Sequence, residues 1–316
     1  MATTRLEQDR QPATQATHAT RSVSARSGWT RDAVENRVFR VLRWLIIAFL
    51  LMITLFPFYY TVLLSIRSLD AVLREPGAIW VPPSEWVLDS YASVLSSSGS
   101  GGQGFLTFMR NSAVVAFSTV ALTLLVGLPG AYAVSRLEFF GRRQISGLFL
   151  AVYLFPSILL AVPLFVFFTR IGLRGSLIGL LIVYVSQIVA VSIYMLRNYF
   201  DTIPVSLEEA AAIDGCGRLG IMWRISLPLA KPAIMANALF VFMIAWNEFL
   251  FALLFLVEKR DRWTVSLGLS QLAGSIEIPT TVLMAGSVLV TLPIIIIFFA
   301  SERLLTEGLT AGAEKG

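Results

Sequence analysis

Six long apolar runs set the pattern of this chain: 41–66, 111–134, 145–168, 177–197, 232–256 and 281–301. Each is long enough to cross roughly 30 Å of hydrocarbon at about 1.5 Å per helical residue. Backbone groups in that layer must be satisfied within the chain, so uninterrupted runs of this length predict helices. The expected fold is all-α: a polytopic membrane protein with six transmembrane helices over 41–301. Pro57, Pro129, Pro156, Pro163 and Pro293 fall inside the runs. Neighbouring helices can re-satisfy the carbonyls that proline frees, so each predicts a packing kink rather than a mechanical hinge. Residues 1–40 are rich in Thr, Ala, Gln, Ser and Arg and predict a disordered tail; 302–316 form a second, C-terminal tail.

Composition strengthens this reading. The chain is 56% hydrophobic and only 14% charged, whereas soluble domains hold about 25% charged residues. Most of the 25 Lys and Arg fall on segments that share one side if the N-terminus is inside, which places both termini in the cytoplasm. The net charge of +5 is therefore loop charge facing that side, not a nucleic-acid surface. Cys216 is the only cysteine and His18 the only histidine. An internal disulfide, a Cys- or His-based metal site and a Ser-His-Asp triad are all disfavoured.

Between the fourth and fifth runs lies an internal segment, 198–231, that is too long and too regular for a simple connection. Ser206 and Glu209 have the spacing of a capping box, with Ser206 at N-cap. Leu207, Ala210, Ala211 and Asp214 then share one helical face, which the alanines keep smooth. Gly215 is a natural stop at C′. A second apolar pattern follows at Leu219, Met222, Trp223 and Leu227, ending at Pro228. The segment reads as a small helix-turn-helix. It can dock a partner protein or lie on lipid; Glu208, Glu209 and Asp214 in the first helix oppose anionic headgroups and favour docking.

The spacing Glu209-Ala210-Ala211, then Gly215, then nine residues, then Ile225-x-Leu227-Pro228 resembles the EAA motif of ABC-importer permease subunits. Ala245-Trp246-Asn247-Glu248-Phe249 and the terminal Gly308-Leu309-Thr310-Ala311-Gly312 are similar to the MalG-like carbohydrate branch. The resemblance covers about residues 40–316. It implies a bacterial inner-membrane protein paired with a second, MalF-like permease, two copies of an ABC ATPase and an extracytoplasmic substrate-binding protein. Ser206, Glu209, Ala210, Ala211, Asp214, Gly215, Ile225, Leu227 and Pro228 would form the ATPase-coupling loop. Glu209 would touch the ATPase, serve as a cap, or do both. Gly308, Leu309, Thr310 and Gly312 would reach toward the ATPase dimer, and the loop 257–280 would face the binding protein. The sequence has no G-x-x-x-x-G-K-[ST] loop, so no cofactor is expected in this chain, and ATP and Mg would be bound by the partner.

Within the spans, Asn247, Glu248, Asn237 and Gln187 are candidates for the translocation pathway, with Ser186 and Tyr153 behind them. Glu248 can equally lock its helix against a neighbour. The implied function is a permease subunit for a sugar. Importers of glycerol-3-phosphate or another small solute share the architecture, but the spans lack the deep Lys or Arg that an anionic solute requires. A secondary transporter is less favoured, because no internal inverted repeat is evident.

Overall fold

The structure is a computed structural model that describes residues 31–313, with side chains over 35–302. It is helical, and no strand occurs among the described residues. Four long helices have the length and apolarity to cross a bilayer: α1 (Arg31–Ser65), α4 (Phe105–Arg136), α7 (Leu177–Phe200) and α14 (Thr280–Ala313). Two bent pairs bring the number to six if each is counted as one span. The first is α5 (Arg142–Leu154) with α6 (Ser157–Arg170), bent by 90°. The second joins α9 (Arg218–Ile221), a π-helical turn at Met222–Ser226 and α10 (Leu227–Leu229) to α11 (Lys231–Asn247), bent by 77°. Short helices complete the chain: α2 (Leu69–Arg74), α3 (Asp89–Leu95), α8 (Val205–Ile213), α12 (Leu250–Leu256) and α13 (Val265–Ala273).

Three boundaries differ from the sequence reading. Residues 31–40, expected in a disordered tail, are helical and belong to α1. The expected third span, 145–168, is not one helix. Pro156 takes an extended conformation at ψ 113°, supplies no N–H, and follows Phe155 at ψ 126°. The expected fifth span, 232–256, breaks at Glu248, which is extended at ψ 130°. Pro57, Pro129, Pro163 and Pro293 remain inside continuous helices. The helical backbone of the last helix continues through 302–313, beyond the apolar stretch that ends at Glu302.

The frame that positions the 198–231 loop is the pair α4 and α7. A Cβ on Gly130 of α4 would sit 3.2 Å from Ile193 Cδ1 of α7. Close approach through a small residue is a common way for membrane helices to gain packing contacts. Two buried clusters follow. The larger includes Phe105, Phe108, Leu180, Val183, Val241, Trp246, Phe251 and Leu267. The smaller joins Ala131, Tyr132, Ile193, Leu196 and Phe200 to Ile203, Met222, Leu227 and Ala230 of the loop. The loop is thus packed onto the ends of α4 and α7 by a core of its own.

Candidate functional site

The first loop helix starts two residues earlier than its sequence pattern implies, at Val205. Its N-cap is Pro204 (φ −57°, ψ 128°), and no side chain caps it. Ser206 sits inside the first turn and is exposed, so Ser206 and Glu209 form no capping box. Proline's fixed φ makes the turn into α8 without a hydroxyl. The C-terminus follows the expected geometry. Gly215 has φ +84°, its N–H donates to Ala212 O at 3.0 Å, and Cys216 N–H donates to Ala211 O at 3.0 Å. These two bonds define a Schellman stop, which requires the left-handed conformation that glycine adopts without strain.

The face of α8 is also redistributed. Glu208 and Ala211 point inward and are buried. Leu207, Glu209, Ala210 and Asp214 are exposed, together with Val205 and Ile213. The expected stripe of Leu207, Ala210, Ala211 and Asp214 is therefore split, with only Ala211 packed against the chain. The second pattern splits in the same way. Met222 and Leu227 are buried and Ile225 is half-buried, while Leu219, Trp223 and Pro228 face outward. The outward side of the loop consequently exposes Val205, Leu207, Ile213, Leu219 and Trp223, mixed with the acidic Glu209 and Asp214.

Glu208 holds this platform in place. Arg136, in the last turn of α4, donates from Nε to Glu208 Oε1 at 2.9 Å. Ser226 Oγ donates to the same oxygen at 2.8 Å, and the Tyr132 hydroxyl donates to Oε2 at 3.2 Å. Arg136 Nη2 also donates to Phe200 O and Ile203 O, both at 2.7 Å. One buried ion pair thus fastens α8 to α4, to the end of α7 and to the π-helical turn. Removing one member of such a pair leaves an uncompensated charge and costs about 3–5 kcal/mol. Neighbouring bonds reinforce the junction. Ser135 Oγ donates to Asp201 Oδ1 at 2.5 Å, and Arg142 donates to Val134 O and Ser135 O, both at 2.7 Å. Glu209, the acidic residue singled out by the motif, is exposed beside this clamp and lines a cleft of about 440 Å³ with Glu138, Ala212 and Arg218.

Sequence reasoning missed Glu208 and Arg136. In the sequence Glu208 reads only as one of three acidic residues of the first loop helix, and nothing singles out Arg136 among the 25 Lys and Arg. The available signal was that Glu208 lies three residues before Ala211 and so shares its face. Nothing local distinguishes that face from its opposite.

The pathway candidates divide into different environments. Glu248 sits in the break between α11 and α12. Its carboxylate accepts from Phe251 N at 2.8 Å, Ala252 N at 3.2 Å and the Tyr184 hydroxyl at 2.5 Å. It caps the start of α12 and ties it to α7. Asn247 is exposed, and its amide donates to Met243 O at 2.8 Å. Trp246, the second residue of the Ala245–Phe249 motif, stacks on Phe242 and donates to Val290 O at 3.1 Å. Asn237 is fully buried; its Nδ2 approaches Met195 Sδ at 3.8 Å, and its Oδ1 has no partner among the described residues. Gln187 and Ser186 share a second cleft with Tyr153 at the α5–α6 break, and Gln187 Nε2 has no partner among the described residues. Gly308, Leu309, Thr310 and Gly312 lie on the helical backbone of α14, and their side chains are outside the described residues, as are Lys315 and Gly316.

This arrangement — a bundle of helices apolar enough to span a membrane, carrying a clamped, outward-facing helix between two of them — is that of a polytopic membrane protein with a rigidly mounted platform. Residues 124–310 match the family described as "Binding-protein-dependent transport system inner membrane component". The chain is 38% identical over 271 residues to the inner membrane ABC transporter permease protein YcjP of Escherichia coli, covering 85% of this chain and 94% of that one. It is 35% identical over 289 residues to the trehalose/maltose transport system permease protein MalG of Thermococcus litoralis, covering 90% and 99% respectively. Its fold also matches a chain from the crystal structure of a bacterial ABC transporter involved in the import of the acidic polysaccharide alginate. There the TM-score is 0.72 at 25% identity, covering 87% of this chain and 98% of that one. The chain belongs to the family of inner-membrane components of binding-protein-dependent transport systems.

Proposed function

We propose that this chain forms half of the translocation pathway of an ATP-driven carbohydrate importer and couples it, through the 198–231 loop, to a separate ATPase. One observation carries the proposal. The outward side of α8 and α9 exposes Val205, Leu207, Ile213, Leu219 and Trp223, while the inward side is clamped to α4 and α7 through Glu208 and Arg136. An apolar patch with an acidic rim on a rigid mount suits a protein partner. Ser206, Glu209, Ala210 and Asp214 are positioned to touch that partner; Ala211, Gly215, Ile225 and Leu227 maintain the shape of the platform.

A second, MalF-like permease completes the bundle. Two ATPase copies bind ATP and Mg on the cytoplasmic side, where both termini of this chain also lie, in the inner membrane of a bacterial cell. An extracytoplasmic binding protein delivers the solute near the 257–280 loop, and the C-terminal residues Gly308 to Gly312 reach toward the ATPases. The relatives named for trehalose/maltose and arabinooligosaccharide transport support a sugar as solute. ATP-driven closure of the ATPases displaces α8, and the bundle shifts population between two packings for which the partner has different affinities. The test is sugar uptake by the reconstituted complex when the partner ATPase binds but cannot hydrolyse ATP. Uptake should stop; persistent concentrative uptake would overturn the proposal.

A further inference from the structure

The α5–α6 break leaves polar chain where a bilayer-spanning segment can least tolerate it. Leu154 ends one helix, Ser157 begins the next at 90°, and no side chain caps either end among the described residues. Non-helical backbone at membrane depth persists only where protein covers it or where it lines a wet cavity. Discontinuous helices in transporters also tend to mark binding sites. A cleft of about 350 Å³ opens at this break. Tyr153 and Phe155 border it with exposed rings, Ser157 and Ser186 add hydroxyls, and Gln187 contributes an amide. Gln187 Nε2 is shielded from solvent and has no partner, and Ser186 Oγ donates to Val183 O at 2.8 Å, leaving its lone pairs available. A buried amide without a partner in hydrocarbon is costly, so lipid tails are a poor occupant of this cleft. A hydroxylated ligand supplies what the amide lacks once a side-chain rotation turns the Gln187 amide into the cleft.

Among the described residues, no charged one lines the cleft. Its chemistry is aromatic faces for the C–H side of a pyranose ring, with an amide and hydroxyls for the ring's OH groups. Its volume falls at the small end of ligand sites, which run from about 300 to 1,000 Å³. We infer that the cleft bounded by Tyr153, Phe155, Ser157, Ser186 and Gln187 is a transit subsite for one neutral sugar unit, and that it discriminates against acidic sugars. This inference rests on the carbohydrate reading above.

The test uses the assembled complex in proteoliposomes, with Cys216→Ser as the parent and Gln187→Cys added. Labelling by a membrane-impermeant thiol reagent reports whether the cleft is wet. Maltose and trehalose should slow labelling at least about fivefold, and glucuronate should not. In a separate Gln187→Ala complex, uptake of whichever of the two disaccharides the parent transports should fall about tenfold, the loss expected for one ligand hydrogen bond. ATP hydrolysis stimulated by the binding protein should persist in that variant. Absence of labelling in both nucleotide-bound and nucleotide-free complexes, or unaltered uptake by Gln187→Ala, overturns the subsite. So does labelling that neither disaccharide slows although the parent imports one of them. If the parent imports only non-carbohydrate solutes, the carbohydrate reading itself fails, and the subsite falls with it.

Discussion

Two regions of the bundle treat their polar groups in opposite ways. Where α4 and α7 meet the loop, Glu208 accepts from Arg136, Ser226 and Tyr132, and Arg136 spends a further nitrogen on two carbonyls. Along the spanning helices, Thr123 Oγ1, Ser192 Oγ, Asn237 Oδ1 and Gln187 Nε2 are shielded and have no partner among the described residues. A saturated network is rigid, and it specifies one arrangement. An unsatisfied one marks where the packing has to change, or where something else must come in. In the coupling proposed above, the saturated region would transmit displacement and the unsatisfied one would yield to it. The same contrast recurs in the two helix breaks. Glu248 closes the break between α11 and α12 with its carboxylate, whereas the break at Phe155 and Pro156 has no side-chain cap.

The largest test strikes the saturated junction. Arg136→Met strands the Glu208 carboxylate and should destabilise the purified complex by about 3–5 kcal/mol, read from denaturant or thermal unfolding, and abolish uptake. Adding Glu208→Leu removes the orphaned charge and should recover much of the stability. If the double variant is no better than the single, the pair is not the source of the effect. Next, Glu248→Ala opens the sealed break; losing the cap on α12 should cost about 1–2 kcal/mol, measured the same way. Gly215→Ala, with nothing within 4 Å of the new Cβ, tests backbone strain alone and should cost about 1–2 kcal/mol. The smallest effect belongs to Asn237→Leu. Because Asn237 lacks a partner for Oδ1, an apolar replacement should be neutral within about 1 kcal/mol. A loss as large as that of Arg136→Met would erase the distinction between the two regions.

Much of the architecture was legible because apolar run length is a direct physical requirement of the bilayer. The breaks were not. Pro57, Pro129, Pro163 and Pro293 look no different in sequence from Pro156, yet only Pro156 ends a helix, because neighbouring packing decides whether the preceding residue stays helical. In the loop, the glycine stop followed from local rules, since Gly215 needs only its own φ. The N-cap did not, because Pro204 satisfies the turn where a serine seemed required. The clamp was illegible for a different reason. Arg136 and Glu208 are 72 residues apart, and no periodicity within one helix reports a partner on another. Glu209 drew attention through its motif, while its neighbour Glu208 forms the internal contact.

The clamp also has a consequence for timing. Glu208 is fastened at once to α4 through Arg136 and to α7 through the carbonyls that Arg136 holds, so α8 has no slack against either helix. In engineering terms the linkage lacks backlash: a push on α8 need not first take up play before the spans respond. In the proposed coupling both helices would receive the stroke together: α4 could lag only by breaking the Arg136–Glu208 ion pair, and α7 only by breaking the Arg136 bond to Phe200 O.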